Sequence, residues 1–192
     1  MEISLIRHGR SKHKTGKAIL LSELVNWNEN YDESGILMED SYPKKTLETV
    51  KHSRLVLTSD LKRAKESARI LIHNPEKSII SLSLFREAEL PKITTKLFTI
   101  ALSPKIWALV LRILWIFGVS NKCESYKEAK KRADEACDVL QRHAKIYTSV
   151  TLVGHGFFNS LIARKLRKKG WLGKKRPDSR HWGCSTYCYY DK

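Results

Sequence analysis

Apolar residues in this chain gather into two kinds of pattern. Short apolar-rich runs recur at Glu2–Arg7 (EISLIR), Arg54–Thr58 (RLVLT), Ser78–Leu82 and Ser149–Val153 (SVTLV). Each is long enough for a β-strand, and the near-continuous ones predict strands buried on both faces. Cys184–Tyr190 (CSTYCYY) alternates like a final strand. Between these runs the spacing turns helical. Leu61, Ala64, Ala68, Leu71 and Ile72 share one face of a helix from Asp60 to about His73, with Ser59 or Asp60 as its cap. In SPKIWALVLRILWIFG, Ser103 is the predicted N-cap, Pro104 the first helical residue and Gly118 the stop. Glu124 to about Ile146 predicts a long amphipathic helix, and Phe157–Lys168 another. Residues 10–25 are polar with some helical spacing, and 26–45 read as a long loop or partly ordered insertion.

Strands separated by helices predict an α/β fold, with a mostly parallel central sheet covered on both faces as a three-layer αβα sandwich. The 192 residues suit a single domain, 1–192, with a helical cover segment at about 92–123. That segment holds the most apolar run of the chain, Ile106–Phe117. A helix over Pro104–Phe117 spans only ~21 Å against a ~30 Å hydrocarbon core. It also carries Arg112 at its middle, so a core or capping helix is expected, with a surface helix meeting a partner, a lipid or an apolar substrate as the alternative, and a transmembrane span is not expected.

Charge narrows the partners. The chain carries +16, and residues 139–192 hold twelve Lys/Arg against Asp178 and Asp191 alone. Such an excess favours anionic partners: phosphorylated substrates, nucleic acid or an acidic surface. Cys123, Cys137, Cys184 and Cys188 have no metal-ligand spacing. On a strand, Cys184 and Cys188 would lie ~13 Å apart, beyond disulfide reach. The first residues lack the pattern of a secretory leader, so reduced thiols and a cytoplasmic address are expected.

Chemistry in α/β sheets collects at the carboxyl ends of the strands. Three strand ends here carry reactive groups: Arg7-His8-Gly9, Thr58-Ser59-Asp60 leading to Arg63, and Gly154-His155-Gly156. The two His-Gly pairs match in form, each with a glycine that lets the chain turn and a ligand approach. His8 is expected at a solvent-accessible strand end. Two histidines and two arginines converging on one point would repel a metal ion, so neither metal nor cofactor is expected. They suit a tetrahedral dianion, whose oxygens the arginine fork matches.

RHGRS at 7–11, SDLKRAKESA at 59–68, FREAELP at 85–91 and VGHGFFN at 153–159 together resemble the ordered motifs of the histidine phosphatase superfamily, the phosphoglycerate-mutase-like fold. The resemblance spans nearly the whole chain and is nearest to small bacterial phosphatase-like members. It implies that His8 is the nucleophile and becomes phosphohistidine. Arg7 and Arg63 would hold the phosphoryl oxygens, and His155 would help neutralise them. Glu87 would be the general acid and then the base for water, with Ser59 supporting the pocket. Relatives commonly have a polar amide where this chain has Lys14, which either contacts phosphate as a point charge or points to solvent. Glu89 is a second carboxylate two residues from Glu87. His181 reads as an ordinary loop histidine, with the pocket mouth as the alternative.

The basic segment 164–183 has Trp171 and Trp182 interleaved. It reads as a solvated face with a packed tryptophan pair, then as a funnel for phosphorylated substrates. A nucleic-acid surface comes last, since no nucleic-acid motif accompanies it. The expected function is a metal-independent phosphomonoester hydrolase acting through phosphohistidine at His8 on a phosphorylated substrate. One alternative is phosphoglycerate-mutase-type transfer, for which the interval from Glu87 to His155 is short. The other is a non-catalytic phosphate- or polyanion-binding protein of the same fold, against which the intact Arg7, His8, Arg63, Glu87 and His155 weigh.

Overall fold

The computed structural model describes residues 1–13, 16–72, 74, 77–93 and 99–190. Among these residues five strands form one sheet: β1 (Glu2–Arg7), β2 (Leu55–Ser59), β3 (Ile79–Leu82), β4 (Ser149–Gly154) and β5 (Cys184–Cys188). Their spatial order is β3-β2-β4-β1-β5. The first four run parallel, and β5 pairs antiparallel with β1. The expected mostly parallel sheet is therefore present.

Among the described residues six α-helices accompany the sheet: α1 (Leu24–Glu33), α2 (Lys44–His52), α3 (Lys62–Leu71), α4 (Pro104–Ile116), α5 (Tyr126–Tyr147) and α6 (Gly156–Lys168). Alternate residues of the strands feed two cores, as the period of two requires. Ile3, Leu5, Leu55, Leu57, Val150 and Leu152 pack against α5 and α6. Ile6, Val56 and Val153 turn to the other face, against Val50 of α2 and Ala68 and Leu71 of α3. These are the three layers the strand and helix order predicts. The α5 stripe toward the core is almost all alanine, Ala129, Ala133, Ala136 and Ala144, with Cys137 and Leu140. Ser125 and Glu128 close a capping box at its start.

Two local expectations change. Residues 26–45 are not a loop, because α1 occupies most of their first half. Its asparagines are poor helix formers, but Leu24 and the partly buried Trp27 join Leu21, Trp107 and Leu111 in a third, smaller core. Tertiary packing overrides propensity there. The α3 helix starts at Lys62, and neither Ser59 nor Asp60 caps it. The Ser59 hydroxyl instead accepts from the Leu61 N–H, 3.3 Å. Asp60 is taken by Arg86 in a two-pronged ion pair, 2.7 Å to each oxygen. For α4 the sequence signals hold: Ser103 accepts from the Ile106 N–H, Pro104 opens the helix, and Gly118 follows with φ +107°. The α4 helix buries Pro104, Trp107, Leu111 and Trp115, one stripe at helical spacing. Among the described residues no helix is long and apolar enough to cross a membrane.

Candidate active site

Parallel pairing of β1 with β4 sets the site. Arg7 lies opposite Gly154 in register, and the His8 N–H donates to the Gly154 carbonyl, 3.0 Å. The next residue of each strand is a histidine, so the two rings meet with centroids 5.1 Å apart. The crossover from β1 to β2 passes over β4, which places this meeting point where strand order reverses.

Neither ring is at the solvent. His8 is 2% exposed and His155 0%, which corrects the expectation of a solvent-accessible His8. Arg63 and His181 crowd it instead. The His8 Nδ1–H donates to the Gly9 carbonyl, 2.7 Å. Its Nε2 accepts from Arg63 Nε–H, 3.3 Å. A carbonyl can only accept and a guanidinium can only donate. Together the two bonds assign the neutral tautomer with the lone pair on Nε2. Burial first, then the Arg63 charge, push the His8 pKa well below its ordinary 6.5. The same two causes, in the same order, push down His155. Among the described residues no group bonds either His155 ring nitrogen, and buried Arg7 Nε is likewise unbonded.

The glycines of the two His-Gly pairs make room for protein side chains. A Cβ at Gly9 would fall 2.2 Å from the Trp182 ring, and one at Gly156 would fall 3.4 Å from Arg7 Nε. Arg7 Nη1 donates to the Ser179 carbonyl, 2.5 Å. Arg63, in the first turn of α3, is 2% exposed. Its Nη1 donates to Asp32 of α1 at 2.6 Å, and the guanidinium lies 4.7 Å from the Tyr31 ring centre. Asp32 thus holds Arg63 with a carboxylate where an incoming anion would need it.

Glu87 stands at the start of α6. Its carboxylate accepts the Phe157 N–H (3.1 Å) and the Phe158 N–H (2.8 Å), two of the unpaired donors of that helix end. Its own segment is strapped down by two arginines. Arg132 of α5 donates to the Leu84 and Arg86 carbonyls while Glu124 holds its other edge. Arg112 of α4 donates to the Ala88 carbonyl (2.7 Å) and the Glu89 carbonyl (3.2 Å). Burial pulls the Arg112 pKa below the usual arginine range, with the Glu87 charge opposing.

Arg7, Arg63, Glu87, Glu89 and His181 line one cleft of about 1010 Å³, with His8 and His155 buried beside it. Arg7, His8, Arg63 and His155 converge as expected, and Glu87 faces the same cleft. Ser59 is fully buried and shapes the turn before α3. The expectation for Lys14 falls outside the described residues. Glu89 is exposed, and only its backbone carbonyl is held by Arg112. His181 is not an ordinary loop histidine. Its Nδ1–H donates to the His8 carbonyl, 3.1 Å, and its ring lies 5.6 Å from that of His8. Burial and the Arg7 charge lower its pKa. A signal for it existed: β5 pairs antiparallel with β1, Cys184 opposite Ile6, so residues just before β5 must lie beside those just after β1. Asp32, Arg112 and Arg132 had no sequence signal. The tryptophans of the basic segment are both buried, Trp171 at 3% and Trp182 at 2%, and offer no face for stacking on bases.

The sequence model of the histidine phosphatase superfamily (branch 1) matches residues 3–190. The chain belongs to that superfamily. Solved structures agree on the fold. A mycobacterial glucosyl-3-phosphoglycerate phosphatase superposes with TM-score 0.57 at 15% identity, over 87% of this chain and 79% of that one. The alpha-ribazole phosphatase of Shigella flexneri gives 0.54 at 16%, over 86% and 79%. The product of a Mycobacterium tuberculosis open reading frame gives 0.58 at 17%, over 99% and 91%. None of the curated proteins matches the chain.

Two outcomes follow from the electrostatics. The unfolded chain protonates His8 and His155 below about pH 6.5, while the folded chain does not. Their contribution is fully present above 6.5 and is lost as pH falls toward the lowered folded pKa values. Each group removes up to about 1.4 kcal/mol per pH unit in that window. Asp60 and Asp178, lowered from 3.8, titrate further down and leave the upper part of the window to the histidines. Urea midpoints measured from neutral pH to about pH 5 should fall, and His155→Asn should flatten the slope. Asp32→Asn should free Arg63 and remove a negative charge from the cleft. Orthophosphate should then inhibit at concentrations lower by roughly three- to tenfold, read from competitive inhibition constants.

Proposed function

We propose that this protein is a metal-independent phosphatase in which His8 Nε2 attacks the phosphorus of a phosphomonoester. The observation that carries the reading is the tautomer of His8, with Nδ1–H committed to the Gly9 carbonyl and the Nε2 lone pair beside Arg63. A neutral imidazole is a competent nucleophile near neutral pH. As the N–P bond forms, the bond from phosphorus to the leaving oxygen breaks. Negative charge gathers on three equatorial oxygens, and Arg7, Arg63 and His155 meet it. Fixed cations supply that stabilisation, so the reaction needs no metal. Arg7 Nε and the His155 nitrogens, buried and unbonded among the described residues, are suited to this task. His181 stands at the rim with its Nδ1–H committed to the His8 carbonyl.

Glu87 gives its proton to the leaving oxygen and then takes one from the water that splits phosphohistidine. Its Oε1 accepts both the Ala88 and Phe158 N–H groups, whereas Oε2 has only the longer Phe157 contact. Oε2 is therefore the oxygen that carries the proton. The cleft is far larger than a phosphate, and Leu21, Leu24, Trp27, Leu90, Ile93 and Leu111 are among its walls. The leaving alcohol accordingly carries a sizeable apolar part. The cytoplasmic address expected from the sequence belongs to this reading.

Phosphate release from a panel of phosphomonoesters, with EDTA present, tests it. Turnover should persist in EDTA and vanish in His8→Asn. Glu87→Gln should slow release of an alkyl alcohol by ~10²–10⁴, and of p-nitrophenolate far less, because the latter leaves without a proton. Glu89→Gln should show no leaving-group dependence. Retained activity in His8→Asn, or a strict need for added metal, contradicts the mechanism.

A further inference from the structure

We propose that the outward face of α4 is a docking surface for an anionic lipid bilayer. The helix has two apolar faces. Trp107, Leu111 and Trp115 point inward and anchor it. Ile106, Leu109, Val110, Ile113, Ile116 and Phe117 point outward, 36–85% exposed. A soluble surface seldom leaves so many large apolar groups together on one helix. The thirteen residues of α4 are too few to span a bilayer, so the helix lies in the interface with its outer face among the acyl chains.

Charge selects the occupant. From Leu90 to Cys123 the chain has no Asp or Glu, but it has lysines at 92, 96, 105 and 122. Lys105 and Lys122 are exposed and flank the two ends of the apolar stripe. Arg112 does not interrupt that stripe, because it turns inward to the Ala88 and Glu89 carbonyls. An apolar helix face, lysines at its borders and a chain charge of +16 match a negative lipid surface. A second copy of this chain would bring the same positive charge to the contact and be repelled. Pro104, Ala108 and Leu111 of the same helix line the cleft, so docking would bring the cleft to the lipid.

The test is co-sedimentation of the full chain with vesicles of equal parts phosphatidylglycerol and phosphatidylcholine. The protein should pellet with them, less so at high salt, and only weakly with phosphatidylcholine alone. Leu109→Glu with Ile113→Glu should weaken the partition by roughly tenfold or more. Its thermal unfolding and its hydrolysis of p-nitrophenyl phosphate should match the parent. Phe117→Ser, at a residue 85% exposed beyond the helix end, is the milder variant if the double change impairs folding. No pelleting of the parent, or equal pelleting of the variants, overturns the proposal. So does sedimentation velocity showing a dimer that these substitutions dissociate, which would assign the face to a second copy. Vesicle binding needs no turnover, so its outcome stands apart from that of the phosphatase mechanism.

Discussion

Two neutral imidazoles buried among arginines are the constraint on which the site depends. Register alone brings them together: Arg7 opposite Gly154 fixes the following histidines side by side. Once there, they cannot both take protons, because burial and Arg63 oppose it. The folded protein therefore keeps a cationic pocket with an unprotonated nitrogen at its centre. In water such an arrangement would cost little. Under His181, Arg7 and Arg63 it is expensive unless an anion shares the pocket. Asp32 partly serves as that anion by holding Arg63. A phosphomonoester dianion would serve better.

The remaining architecture serves to hold one carboxylate against this pocket. Glu87 lies on an irregular segment, where a short strand gives no rigidity of its own. Arg132 reaches it from α5 and Arg112 from α4, each by bonds to backbone carbonyls. The α6 N-terminus then fixes the carboxylate through the Phe157 and Phe158 N–H groups. The guanidinium of Arg112 also lies 4.4 Å from the Phe157 ring centre and 4.7 Å from that of Trp115. The apolar helix is thereby tied to the chemistry: it walls the cleft, anchors the acid segment and presents its other face outward.

What could be read from the sequence was whatever depended on local pattern. The strands, α3, α5 and α6 follow from apolar periodicity, with ends off by one or two residues. The α4 caps at Ser103 and Gly118 follow from local backbone chemistry. Arg7, His8, Arg63, Glu87 and His155 stand at strand ends or in motifs, so their convergence was legible. Contacts made across the fold were not. The α1 helix exists because Leu24 and Trp27 pack on α4, and nothing in NWNENYDES announces that. Asp32 matters only because α1 is a helix that reaches Arg63. His8 is crowded by Arg63 and by His181 from the far end of the chain, which one strand end cannot reveal. His181 sits beside His8 because the last strand pairs antiparallel with the first.

The central claim is that His8 is neutral and carries its proton on Nδ1. Nitrogen-15 NMR of the histidine rings measures this directly, since protonated and lone-pair ring nitrogens resonate far apart. At neutral pH the account predicts, for the ring whose signals are lost in His8→Asn, a pyrrole-type Nδ1 and a pyridine-type Nε2 that stay unchanged well below the ordinary imidazole pKa of 6.5. A His8 ring that is doubly protonated at neutral pH, or that carries its proton on Nε2, would contradict it.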